Sequence, residues 1–170
     1  LILSLVGLCL MTVVLGACAG NKGEMPKAEQ GVIDLSHWNP ASAGPVRLDG
    51  QWGFHWGQLL EPADFSTARP SGGDFIRVPG VWKDHDTGGE ALSGLGYATY
   101  RLQVLMPPTR EPLAFKFLSL GSAYRLYVDG KQVASAGKVG RTRETMSPDW
   151  RPQVVAFTPT DSGFDLRFNR

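Results

Sequence analysis

The sequence predicts an all-β fold, an antiparallel β-sandwich arranged as a jelly roll, on three observations. Apolar and polar residues alternate over many short stretches, which is the period of a half-buried strand. The 21 Gly and 12 Pro, spread along 170 residues, place turn signals between those stretches. No amphipathic helix longer than two turns can be drawn, and no internal repeat is found. A length of 170 residues fits one domain. With 17 Lys and Arg against 16 Asp and Glu, the net charge of +1 leaves no surplus to grip phosphate backbones, which excludes nucleic acid as a partner.

Residues 1–17 come first, an uncharged apolar run read as a signal peptide of lipoprotein type. Leu15-Gly16-Ala17-Cys18 resembles the bacterial lipobox, which makes Cys18 the lipidation residue. An uncleaved signal anchor and an ordinary cleaved signal are the alternatives, and all three export the remainder to the cell envelope, on its periplasmic or extracellular face. After cleavage Cys18 is the only thiol, so no intramolecular disulfide supports the domain. Residues 18–30 are small and polar and read as a disordered tether. The chain starts without Met and stops at Arg170 inside an alternating pattern, so residues 31–170 are expected to be a domain truncated at its C-terminus.

Gly31–Leu35 is a short apolar run ahead of turn residues 39–45. Val46, Leu48, Trp52, Phe54 and Trp56 alternate along the next strand, with Gly50 at a bulge or bend. Leu59–Phe65 holds at most one helical turn. Phe75–Pro79 is a strand closed by Pro79-Gly80, and residues 81–95, with Gly88, Gly89 and Gly94, read as a long loop. From Tyr97 onward Ala98, Tyr100, Leu102, Val104 and Met106 point to the core, while Thr99, Arg101 and Gln103 point away. Leu113, Phe115 and Phe117, then Tyr124, Leu126 and Val128, repeat that period. Asp129-Gly130 supplies a two-residue type I′ hairpin turn. Val133 begins the return, and 154–157 and 164–168 complete about eight strands, a count typical of sandwiches.

Five stretches then resemble a family. Leu48-Asp49-Gly50-Gln51-Trp52-Gly53-Phe54-His55-Trp56, Val78-Pro79-Gly80-Val81-Trp82, Gly96-Tyr97-Ala98-Thr99-Tyr100-Arg101-Leu102, residues 122–131 and Gly137-Lys138-Val139-Gly140 occur in an order similar to that of the extracytoplasmic sensor domain of bacterial seven-transmembrane receptors with diverse intracellular signalling modules. The match runs from Asp34 to Phe168. It implies a galactose-binding-like jelly roll, followed beyond residue 170 by seven membrane helices and a cytoplasmic nucleotide cyclase, diguanylate cyclase or histidine kinase. A looser resemblance, through the Gly-x-Trp-x-Phe, Val-Pro-Gly-x-Trp and Tyr-Arg elements, is to the sugar-binding domain of family 2 glycoside hydrolases. The lipobox departs from the receptor pattern.

No catalytic constellation emerges: there is no phosphate loop before a helix, no Gly-x-Ser-x-Gly elbow and no histidine pair at ligand spacing. The region present is therefore expected to bind rather than to catalyse, with no cofactor. His37 and His55 fit structural roles. Asp84-His85-Asp86 has the residue types of a divalent-ion site but equally those of a solvated turn, and no metal is assigned. Trp82, Tyr97, Arg101, Tyr127, Arg141 and Trp150 lie on loops or out of the core phase. They are the candidate ligand-binding residues, since a sugar offers C–H faces to aromatic rings and hydroxyls to planar guanidinium donors. Trp52, Trp56 and Tyr124 are assigned to the core. The expected partners are a small-molecule ligand, with carbohydrate the leading class, and a membrane reached through the lipid anchor or downstream helices. The leading expectation is a ligand sensor of a signalling receptor. Its alternatives are an accessory domain of an exported glycoside hydrolase and a stand-alone envelope lipoprotein.

Overall fold

The computed structural model describes residues 25–67, 73–87, 90–118 and 120–170. The signal-peptide run, Cys18, most of the expected tether, and Gly88 and Gly89 lie outside the described residues. Among the described residues, no helix is long and apolar enough to cross a membrane.

The architecture is the expected antiparallel sandwich, with eleven strands among the described residues where the sequence suggests about eight. The large sheet contains β1 (Val32–Asp34), β2 (Gly50–Trp56), β3 (Asp74–Val78), β6 (Ala98–Leu105), β8 (Tyr124–Val128), β9 (Lys131–Ala136) and β11 (Gly163–Asn169). Its order is β3-β2-β6-β11-β8-β9. β2 and β1 share one edge of β6: Gly53–Trp56 lie opposite Ala98–Arg101, and Val32–Asp34 run parallel to Gln103–Leu105. β11, last in sequence, is inserted between β6 and β8.

The second layer is narrow. Among the described residues β7 (Leu113–Phe117) pairs only with β10 (Gln153–Phe157), and their inward rings meet the large sheet. Phe115 stacks on Phe157 with centroids 4.5 Å apart, and both meet Phe164 edge-on. The segment expected as a long loop also packs on the core. It forms a 3₁₀ turn at Trp82–Asp84 and a two-stranded ribbon of β4 (Asp86–Thr87) and β5 (Glu90–Ala91), which bring Trp82 and Leu92 into the core. Two short helices, α1 (Pro40–Ala43) and α2 (Asp64–Thr67), decorate the loops.

Alternation selects the core as expected. Ala98, Tyr100, Leu102 and Val104 on β6, Trp52 and Phe54 on β2, Tyr124 and Leu126 on β8, and Phe164 and Leu166 on β11 are all buried. Asp129 and Gly130 take φ of 48° and 80° in the β8–β9 turn, the left-handed values that a type I′ hairpin requires.

Two boundaries differ from expectation, for one reason. Gly50 has φ of 129°, and the backbone of Ala28 sits against its Cα. Ala28 N–H donates to the Asp49 carbonyl and the Gln51 N–H to the Ala28 carbonyl, each at 2.7 Å. Order therefore reaches back to Ala28, which is buried, inside the stretch expected as a tether. The same irregularity keeps Val46 and Leu48 out of β2.

Candidate functional site

Because side chains alternate across a strand, the odd-numbered residues of β2, β6, β8 and β11 face away from the core. Register lines them up in two rows. Gly53, Arg101, Arg167 and Tyr127 form one row, and His55, Thr99, Asn169 and Arg125 the next. Such a face is ordinarily solvated, yet here Thr99 and Asn169 are fully buried, and His55, Arg167 and Tyr127 nearly so.

A strap, residues 57–67, covers the two rows. The Thr99 hydroxyl accepts from Leu60 N–H at 2.8 Å and lies 2.9 Å from both the Gln58 carbonyl and Asn169 Oδ1, donating its one hydrogen to either. Asn169 Nδ2 donates to the Leu60 carbonyl at 3.1 Å, and Arg167 Nη1 to the Pro62 carbonyl at 3.1 Å. Each bond of this kind contributes about 0.5–1.5 kcal/mol net, and its loss would strand a buried partner. Phe65 closes the strap, with its ring 4.4 Å from the Arg167 guanidinium, 5.1 Å from that of Arg101 and edge-on to His55. The Tyr127 hydroxyl donates to Glu61 Oε2 at 3.0 Å, while Arg125 Nη1 lies 2.9 Å from Glu61 Oε1. Burial, and then the Glu61 carboxylate, raise the Tyr127 phenol above its ordinary value, so it remains a donor.

The His55 Nδ1 is buried with no hydrogen-bond partner. Burial, and secondarily the charge of Arg101, lower its pKa below 6.5. The folded state thus resists a proton that the unfolded chain accepts. The stability gained from a neutral His55 is complete above about pH 6.5 and is lost as the pH falls below that value. Comparing unfolding midpoints between pH 7 and pH 5, wild type is expected to lose more stability than His55→Gln. Parallel losses would show that His55 titrates freely.

Beside the strap an open cleft of about 290 Å³ is lined by Arg101, Gln103, Asp129, Asp161, Ser162 and Asp165, among others. Asp165 is fixed in its wall: Oδ1 accepts from Arg101 Nε at 3.0 Å and Oδ2 from Arg167 Nη2. The Asp165 N–H donates to Asp129 Oδ1 at 2.8 Å. The cleft therefore presents a guanidinium and several carboxylates on a rigid sheet, next to an aromatic ring. A wider hollow of about 600 Å³ lies where residues 27–30 cross β2 beside Arg77. It brings in none of the candidate residues.

Of the six candidate ligand residues, the structure brings Arg101 and Tyr127 to one face, in one row. Tyr127 is covered by the strap. Trp82 is a correction: it is 8% exposed and packs edge-on against Trp56 with centroids 4.9 Å apart. It also donates to the Tyr100 hydroxyl, on the opposite face of β6 from Arg101. Its loop turns inward because the indole packs into the core there. Tyr97 is half-buried before β6, Arg141 is exposed in the 137–149 loop, and Trp150 is 62% exposed near Gly121, so these three do not join the cleft. His85 Nε2 lies 3.3 Å from Asp74 Oδ2, and among the described residues no three His, Cys, Asp or Glu side chains converge as a metal site. Sequence reading missed the strap and Asp165, Arg167 and Asn169. The polar phase of β11, alternating with Phe164, Leu166 and Phe168, was the available signal.

No family model matches the chain, and no curated protein does. Solved structures share its fold. The β-glucuronidase of Faecalibacterium prausnitzii superposes with a TM-score of 0.53 at 18% identity, over 73% of this chain and 20% of the enzyme. A β-glucuronidase of an uncultured Clostridium species gives 0.50 at 18% identity, over 72% of this chain and 21% of the enzyme. The chain thus spans about a fifth of either enzyme's length. These likenesses concern the fold and agree with the looser of the two resemblances, that to a glycoside hydrolase β-sandwich domain.

Proposed function

We propose that the chain is a non-catalytic binding module of a larger exported protein, taking a polyhydroxylated small ligand, a carbohydrate, in the cleft beside Arg101 and Asp165. The observation that carries this reading is the Arg101–Asp165 pair lining the cleft, with Arg167 bonded to Asp165 behind it. It holds a planar donor group and carboxylate acceptors in fixed positions, as recognition of a hydroxyl rim requires. Both Asp165 oxygens are engaged by guanidinium groups, which suits positioning rather than proton transfer.

The host protein, in this reading, is a bacterial envelope receptor whose sensory end is this domain, attached to the membrane through Cys18 or downstream helices. Support comes from the five motifs in order between Asp34 and Phe168. An accessory domain of an exported glycoside hydrolase is the second reading, favoured by the fold shared with parts of two β-glucuronidases. The codons following residue 170 separate the two. Seven apolar segments of about 20 residues mark the receptor, and a barrel bearing two catalytic carboxylates marks the hydrolase.

For the cleft itself, a calorimetric screen of neutral and charged saccharides is expected to find a ligand whose binding Arg101→Ala weakens by about 1–3 kcal/mol. The thermal midpoint should change little, because Arg101 is only partly buried. Unchanged binding in Arg101→Ala would remove the cleft from the function.

A further inference from the structure

Glu61 occupies an unusual place for a loop carboxylate. Both of its oxygens are held by side chains of β8, Oε1 by Arg125 Nη1 at 2.9 Å and Oε2 by the Tyr127 hydroxyl at 3.0 Å. The backbone of those holders is placed by the sheet. They stand two residues apart on one face of a strand paired on both sides, with β11 and with β9. Tyr127 is buried, and Glu61 is its hydrogen-bond partner. The Arg125 Nε is buried with no partner at all, a further donor beside the same carboxylate. The Glu61 side chain, by contrast, is 48% exposed, so solvent reaches the carboxylate that fills the position.

We infer that Arg125 and Tyr127 form a carboxylate-binding site on the sheet, occupied in this structure by the chain's own Glu61, and that a carboxylate-bearing ligand enters by turning the Glu61 side chain outward. The alternative route, lifting the whole strap, would break the bonds that Thr99, Asn169 and Arg167 make to its backbone. Rotation of one half-exposed side chain breaks two contacts and leaves the strap in place. A carboxylate is the ligand group that fits, because the guanidinium can only donate and the phenol hydroxyl already donates to a carboxylate here. The site is separate from the cleft beside Arg101. Register places Tyr127 two strands from Arg101, about 10 Å away at the usual strand spacing, so the inference goes beyond the cleft reading and stands without it.

The test is isothermal titration of the full chain in a non-ionic detergent with sodium D-gluconate, using sorbitol as the neutral comparison of similar size. Glu61→Ala removes the internal occupant and is expected to bind gluconate about tenfold or more tightly than wild type, with sorbitol unchanged. The gain should disappear in Glu61→Ala/Tyr127→Phe and in Glu61→Ala/Arg125→Ala. In thermal melts, gluconate but not sorbitol should raise the midpoint of Glu61→Ala toward that of wild type. Should Glu61→Ala not fold, Glu61→Gln keeps the side-chain size, loses the charge, and is expected to show a smaller gain in the same direction. Equal gluconate affinity in wild type and the Glu61 variant that folds, or a gain that survives loss of Tyr127 or Arg125, would overturn the inference.

Discussion

Trp82→Ala is expected to lower the stability of the domain by about 3–5 kcal/mol, the range for deleting a large aromatic from a packed core. The indole lies edge-on to Trp56, its ring is 4.9 Å from the Arg170 guanidinium, and its Nε1 donates to the Tyr100 hydroxyl. Alanine removes the ring contacts and one of the two hydrogen-bond partners of the buried Tyr100 hydroxyl, leaving Arg170 as the other. Trp82→Phe separates the two losses, since it restores most of the packing without the donor and should recover all but about 0.5–1.5 kcal/mol. Denaturant midpoints at constant slope measure both. A loss under about 1 kcal/mol for Trp82→Ala, joined to weaker saccharide binding, would return Trp82 to the ligand surface.

Gly50→Ala is expected to cost about 3 kcal/mol, from strain at a left-handed φ together with two broken backbone bonds. A Cβ at this position would overlap the Ala28 carbonyl oxygen and amide nitrogen, both of which bond across to the Asp49–Gln51 segment. Backbone on both sides leaves no flexible side chain to yield. The local consequence is more diagnostic than the global one. Residues 28–31 should detach, so amide exchange at Ala28 and tryptic cleavage after Lys27 should both accelerate many-fold at temperatures where the core is intact. Unchanged cleavage would mean that the N-terminal segment is held by something other than its fit to Gly50.

These two positions show what could be read in advance. Trp52, Phe54, Tyr100, Tyr124 and Leu126 were assigned to the core by alternation alone, because a strand with one buried face must repeat every second residue. Asp129-Gly130 was identified because the turn's positive φ values restrict its residue types. Trp82 was misplaced, since a Gly-flanked loop carries no period, and nothing local says that the core takes an indole from this loop. The strap was invisible for a related reason. Glu61 and Phe65 acquire meaning only from Tyr127, Arg125, Arg101 and Arg167, all at long sequence separation. The motifs on which the two sequence resemblances rest have the same bias. Gly50, Trp52, Trp82, Gly96 and Gly137 are fixed by close packing, so they report the sandwich more directly than the ligand.

The insertion of β11 between β6 and β8 also sets an order of events during synthesis. Until residues 163–169 have left the ribosome, β6 and β8 each present an unpaired edge, and such edges recruit strands from other chains. The strap waits as well, because Asn169 reaches Leu60 across 109 residues and Arg167 reaches Pro62 across 105. Contacts so distant in sequence form slowly. The nascent domain therefore passes through a period in which two half-sheets are open, and its closure is timed by the arrival of a single late strand.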